Sequence, residues 1–138
     1  MAHASFNVGV KAIMKNSKGK ILALEAHMNG PMAEYYDMPG GRIDEEEVGT
    51  PFSDILRREI REELGDIEFD LDPNPIAAVS WLWPNGQPMT FIYYPAKLTG
   101  GEPQISEEHL SYKWVEPTEE ELDKYFTSYH RAALKQIA

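Results

Sequence analysis

The chain has 138 residues, a size that suits one domain spanning 1–138 around one core. It is 42% hydrophobic and 11% aromatic with a net charge of −10, which excludes a disordered acidic chain and argues against polymeric nucleic acid or an anionic membrane as partner. It has no cysteine, no apolar run of membrane-spanning length, and no N-terminal basic region followed by an apolar core; these features exclude disulfides and thiolate metal sites and predict a cytoplasmic protein.

The first elements form a hairpin. Phe6, Val8, Val10, Ala12 and Met14 alternate with mostly polar neighbours, the period of a half-buried strand. "NSKG" is turn chemistry, and Ile21 to Ala26 supply the return strand. "MNGPMAEYY" reads as a loop, and "YDMPGG" as a brief extended segment ending in two glycines. An acidic irregular stretch, "RIDEEEVGTPFSD", follows. Ser53 is the expected N-cap of a helix from about Asp54 to Leu64. Phe52, Leu56, Ile60 and Leu64 mark its buried stripe, and Gly65 its end.

Beyond that helix, "PIAAVSWLWP" and "PMTFIYYPAKL" flank "NGQ" and predict a second hairpin. "TGGEPQISEEH" reads as a loop and "LSYKWVEP" as a final strand. "PTEEELDKYF" opens with a capping box from Thr118 to Glu121, and a last short helix is expected over 128–137. Strands outnumber helices, and one helix sits between strand groups. That order predicts an α+β or mixed α/β/α arrangement.

The mid-chain helix carries the chemistry. In "RREIREELGD", Glu59, Glu62 and Glu63 occupy i, i+3 and i+4. At about 100° per residue they share a sector of roughly 100° beside the apolar stripe. Stacked carboxylates repel, and at the edge of a buried face they lose hydration. A hard divalent cation resolves that conflict, since Mg²⁺ takes oxygen ligands and keeps substrate phosphate oxygens among them. The plainer alternative is a solvated charged face laced by pairs such as Arg58 with Glu62.

The run "GGRIDEEEVGTPFSDILRREIREELGD" decides between these, because it resembles the signature of the Nudix hydrolase family, G-x5-E-x7-R-E-U-x-E-E-x-G-U, where U is bulky and aliphatic. Gly41 and Glu47 match the first part; Arg58, Glu59, Ile60, Glu62, Glu63 and Gly65 match the second without a gap. Ten residues rather than seven separate Glu47 from Arg58, so the loop before the helix is three residues longer than the pattern. Asp66 stands at the final U position, with Ile67 next. The resemblance implies an α/β/α sandwich with a mixed sheet. It also implies Mg²⁺- or Mn²⁺-dependent cleavage of a pyrophosphate bond in a nucleoside diphosphate derivative. By position, Glu59, Glu62 and Glu63 would be the metal ligands, the carbonyl at the Gly40–Gly41 turn would add an oxygen, and Arg58 would orient a glutamate.

A proton acceptor for the attacking water is needed as well. Glu59 is one candidate. Glu108, six residues before Trp114 and resembling a loop glutamate of the family, is the other, with Glu107 as its neighbour. Either the "SEEH" segment serves this way or it is a solvated loop. "DEEE" at 44–47 reads as a solvated acidic loop apart from Glu47. Trp81 and Trp83 share a face if their segment is a strand, and they stack on a nucleobase or pack in the core. Tyr35, and with it Gly40, are candidates to line the same substrate cleft. The four histidines show no metal-ligand spacing.

The leading expectation is therefore a pyrophosphohydrolase of a small nucleotide, a nucleoside triphosphate or an ADP-ribose-like compound, as monomer or homodimer. The rivals are a non-catalytic nucleotide-sensing module and an acidic structural domain.

Overall fold

The computed structural model describes residues 2–26 and 35–137; of the loop expected at 28–36, residues 28–34 lie outside them. The first hairpin consists of β1 (Asn7–Lys15) and β2 (Ile21–Ala26). Asn16 makes its turn: the side-chain Oδ1 accepts from the backbone N–H of both Lys18 and Lys20 at 3.0 Å. Short strands β3 (Tyr36–Asp37) and β4 (Gly40–Arg42) follow, then helix α1 (Phe52–Leu64). Next come β5 (Glu68–Leu71), β6 (Ala77–Leu82), β7 (Pro88–Gly100) and β8 (His109–Val115), and the chain ends in α2 (Glu119–Tyr125) and α3 (Ser128–Gln136).

The strands form one mixed sheet in the order β3-β2-β1-β7-β5, with β4 against β1, β6 against β7 and β8 against β2. β1 and β7 run parallel over nine paired residues, while the other pairings are antiparallel. A parallel pair needs a long crossover, and α1 lies within it. Helices cover both faces. Val10, Ala12, Met14, Leu22 and Leu24 pack with Ile55, Leu56, Ile60 and Leu64 of α1. Ile13, Ile21, Ala23 and Tyr93 pack with Ala133 and Leu134 of α3 on the opposite face. The expected three-layer sandwich is thus present.

Two local expectations are corrected. β1 is not half-buried: Gly9 to Met14 are all buried, because this central strand is covered on both faces. Alternation there sorts side chains between two cores, and it sends Lys11 and Ile13 toward α3 while Val10, Ala12 and Met14 face α1. The helix also starts earlier than expected. Its N-cap is Pro51, not Ser53, and the Pro51 carbonyl accepts from the N–H groups of Asp54 and Ile55 at 3.0 and 3.2 Å. The proline holds φ at −55°, ready for the first turn. Gly65 ends the helix as expected, at φ +74°, donating its N–H to the Arg61 carbonyl at 3.1 Å. Among the described residues no helix is long and apolar enough to cross a membrane.

Candidate functional site

The segment from β3 into β4 runs along β1 and lays two glycines against α1. Gly40 has φ +139°, and a Cβ there would stand 1.9 Å from the Val10 carbonyl oxygen, so only glycine fits. Its N–H donates to Glu63 Oε1 at 3.0 Å. A Cβ on Gly41 would sit 3.0 Å from the Glu59 carboxyl carbon, so the missing side chain keeps room between backbone and carboxylate.

The glutamates of α1 occupy three environments. Glu63 is 3% exposed. Burial pushes its carboxyl up to about 8, against the pull of the Lys11 charge and the Gly40 N–H. His109 Nε2 lies 3.8 Å from Glu63 Oε2. Glu59 is half-buried, and burial raises its carboxyl too, against the Arg58 charge. Glu62 points outward with a side chain 58% exposed.

Arg58 connects them. Its Nη1 reaches both oxygens of Glu62, at 2.9 and 3.0 Å, while its Nη2 contacts Glu47 Oε2 at 2.5 Å and Glu59 Oε1 at 3.3 Å. Bonds to Glu62 and then Glu47 hold the guanidinium even more firmly protonated than usual. The longer loop does not remove Glu47 from this cluster. A 3₁₀ turn over Glu45–Glu47 is braced by the Asp44 N–H donating to Glu47 Oε1 at 3.0 Å, so the extra length is taken up beyond it, before α1. Glu45 and Glu46 are exposed, as a solvated loop requires.

The loop carrying Glu107 and Glu108 folds back onto the end of α1. The Gln104 N–H donates to the Leu64 carbonyl at 2.8 Å and the Ser106 N–H to the Glu63 carbonyl at 3.1 Å. Ser106, Glu107 and Glu108 thereby line, with Glu62 and Glu63, a cleft of about 350 Å³. Among the described residues no three acidic or histidine side chains converge into a preformed cage. Like charges have spread apart, toward Arg58 in one direction and Gly40 in the other. The donors are nonetheless all carboxylate oxygens, those of Glu59 and Glu63 desolvated and lying beside Gly41 and Gly40. That set suits a hard divalent cation such as Mg²⁺ or Mn²⁺.

On the α3 side of the sheet lies a second cleft, of about 170 Å³. Tyr35, Trp83, Phe91 and Tyr129 supply aromatic walls, Lys11, Asp37 and His130 lie deeper, and Gly41 and Arg42 belong to it as well. Gly41 therefore lies beside Glu59 and also lines this cleft. Trp81 and Trp83 do project to the same side, with ring centroids 5.9 Å apart. Only Trp83 lines the cleft. Trp81 stacks flat on Tyr129, at 4.1 Å and 2°, within the packing behind it.

Four residues here had no part in the sequence reading. Lys11 Nζ donates to Asp37 Oδ2 at 2.9 Å and to the Met38 carbonyl at 3.2 Å. His130 Nε2 is 2.7 Å from Asp37 Oδ1, and His130 Nδ1 is 2.6 Å from the Tyr93 hydroxyl. Burial opposes ionisation of Asp37, but Lys11 and His130 outweigh it and hold the carboxyl far below the usual range. One signal was available for Lys11, a lysine inside an otherwise apolar central strand, where an uncompensated charge is costly.

The NUDIX domain family matches the chain over residues 5–137. The chain belongs to the Nudix family. No curated protein matches it in sequence. Solved Nudix structures match over nearly its whole length. The MutT NUDIX hydrolase from Burkholderia pseudomallei is 28% identical with a TM-score of 0.74, covering 97% of this chain and 99% of its own. The MutT protein from Methanosarcina mazei Go1 has 22% identity and a TM-score of 0.77, covering 99% and 95%. A C. elegans Ap4A hydrolase has 21% identity and a TM-score of 0.75, covering 95% and 94%. The last two share the fold at a distance where sequence no longer carries function. Nudix hydrolases cleave acid anhydride bonds of phosphate compounds, and this protein is such an enzyme.

Proposed function

We propose that this Nudix hydrolase is a divalent-cation-dependent pyrophosphohydrolase of a small nucleoside diphosphate derivative, either a nucleoside triphosphate or an ADP-ribose-like compound. One observation carries the reading: Glu59 of α1 and the aromatic cleft meet at Gly41. A flat ring held between Tyr35 and Trp83 would run its phosphates past Arg42 toward Glu59, Glu62 and Glu63. The side chains of these three glutamates and the Gly41 carbonyl would hold Mg²⁺ or Mn²⁺. Bound there, a divalent cation would supply charge neutralisation at the diphosphate and acidify the attacking water.

The chain's own groups do the rest. The Gly40 N–H holds Glu63 Oε1 in place. Arg58 orients Glu62 and Glu59 from outside. Two carboxylates stand ready to take the proton from water: Glu59, whose raised pKa favours acceptance, and Glu108, on the loop across the cleft from Glu63. Water attack at phosphorus then rests mainly on positioning and charge.

Arg58→Ala is expected to lower kcat/KM by about 10–100-fold, the usual cost of losing a group that orients ligands. Its side chain is 45% exposed, so stability should change by less than about 1 kcal/mol. Steady-state kinetics beside a denaturant titration separates the two effects.

A pH dependence follows from Glu63. Its carboxyl in the folded protein is raised to about 8, so below that pH the native state retains a proton that a bound cation must displace. Apparent Mg²⁺ affinity should therefore rise with pH, by up to about tenfold per unit below 8, and level off above it. Thermal shift against Mg²⁺ from pH 6 to 9 reads this directly, and a flat response would count against Glu63 as a ligand.

The deciding experiment is a panel of nucleoside triphosphates, ADP-ribose, dinucleotides and nucleotide sugars with Mg²⁺ and Mn²⁺, scored by product. Calorimetric binding of a nucleotide with no product from any of them would overturn the reading in favour of a sensing module.

A further inference from the structure

Three donors converge on one carboxylate that stays open to a cleft. Asp37 Oδ1 accepts from His130 Nε2 at 2.7 Å and from the Met38 N–H at 2.8 Å, and Oδ2 accepts from Lys11 Nζ at 2.9 Å. The Lys11 and His130 side chains are 6% and 1% exposed, yet the Asp37 side chain is 36% exposed and lines the aromatic cleft. A carboxylate offers about four lone-pair positions, two per oxygen. Oδ1 has both filled. Oδ2 has one left.

The direction of the network is fixed. An ionised Asp37 only accepts, so His130 must donate through Nε2–H. Its Nδ1 then carries the lone pair and accepts the Tyr93 O–H at 2.6 Å. Burial favours this neutral imidazole over the charged one. Lys11 balances the carboxylate charge, so a ligand at Asp37 need not be a cation. What it must bring is a hydrogen-bond donor. The surrounding rings of Tyr35, Trp83, Phe91 and Tyr129 favour a flat partner.

We propose that Asp37 reads the substrate's ring, taking one N–H hydrogen bond on Oδ2 from a nitrogen heterocycle held in the aromatic cleft. Lys11 and His130 are its positioning residues. The inference rests on the nucleotide reading above and assigns the site's selectivity to ring edges that carry an exocyclic amino N–H. A buried polar group left without its partner is costly, which makes this contact discriminating.

The test compares nucleotides that differ only in that donor, in whichever phosphate form the substrate panel selects. Adenosine is paired with unsubstituted purine riboside, and cytidine with its 4-deamino 2-pyrimidinone analogue. Wild type is expected to favour the donor-bearing member of at least one pair by about tenfold or more in kcat/KM. In Asp37→Ala, and in the Lys11→Met/Asp37→Leu double variant that leaves no buried lysine unpaired, the ratio should fall toward one. Equal kcat/KM for both members of each pair in wild type would overturn the assignment while leaving hydrolysis intact. A preference that disappears with the ribose hydroxyls rather than with the ring N–H would overturn it too. If no nucleotide is bound or cleaved, the functional reading fails and this inference fails with it.

Discussion

Glu62→Gln is expected to cut cation-dependent turnover at least about 100-fold while the protein keeps its fold. Losing an outer group that orients a metal ligand costs about 10–100-fold, and losing a ligand itself should cost no less. Stability should barely move. The Glu62 side chain is 58% exposed and makes its ion pair with Arg58 at the surface, a contact worth under about 1 kcal/mol. Glutamine keeps the shape and removes the charge. Glu63→Gln should lose activity to the same degree, yet its apo form should be no less stable at pH 8. The sign follows from the raised carboxyl: ionising Glu63 inside the native protein is harder than in the unfolded chain, so the wild-type group loses stability as pH climbs through the range up to about 8. Kinetics with Mg²⁺ and thermal melts in EDTA check both statements. Full activity in both variants would reject the carboxylate site.

Gly40→Ala is expected to be the most damaging single change to the fold. The added Cβ would stand 1.9 Å from the Val10 carbonyl oxygen and 2.9 Å from the Lys11 Cα, at φ +139°. Both obstacles are backbone of the central strand, which cannot rotate away. Strain at such a position, added to a clash with no relief, should cost more than about 3 kcal/mol. Any molecules that fold would do so by pulling the Gly40 N–H off Glu63, and activity would fall with it. Urea denaturation gives the measure: a midpoint equal to wild type would contradict this account.

The spacing of Glu59, Glu62 and Glu63 was legible because it is local, within two turns of one helix. Their divergence was not: Glu63 turns in to the Gly40 N–H and Glu62 stays in solvent beside Arg58. The Arg58–Glu62 pair, which by itself reads as ordinary surface lacing, is present and belongs to the same cluster. Glu107 and Glu108 were findable only through their distance from Trp114. The start of α1 differs from the expected one because a proline lead-in and a serine cap compete two positions apart, at Pro51 and Ser53, and the proline carbonyl prevails. β5 does carry a period-2 signal, Ile67, Phe69 and Leu71 alternating with Glu68, Asp70 and Asp72, but it is only four residues long and lies close behind the helix end, where it is easily taken for connection. The Lys11–Asp37–His130–Tyr93 network was not legible. Its links span 26, 93 and 37 residues, so no window on the sequence contains it, and only the crossing of β1, β3, β7 and α3 creates it. Trp81 and Trp83 are indistinguishable by pattern; the placement of Tyr129 decides which of them is covered.

The guanidinium of Arg58 touches Glu47, Glu59 and Glu62 at once. If the proposed cation site holds, this guanidinium would act as a placeholder: a resident positive charge would keep three acidic groups in company before any ion arrives. Unlike a zinc finger, which stays unfolded until its metal supplies the missing attraction, this chain can complete its assembly first and be loaded afterwards. Newly made molecules would then be protected from degradation even where free magnesium is scarce, and chelation would silence the enzyme without unravelling it.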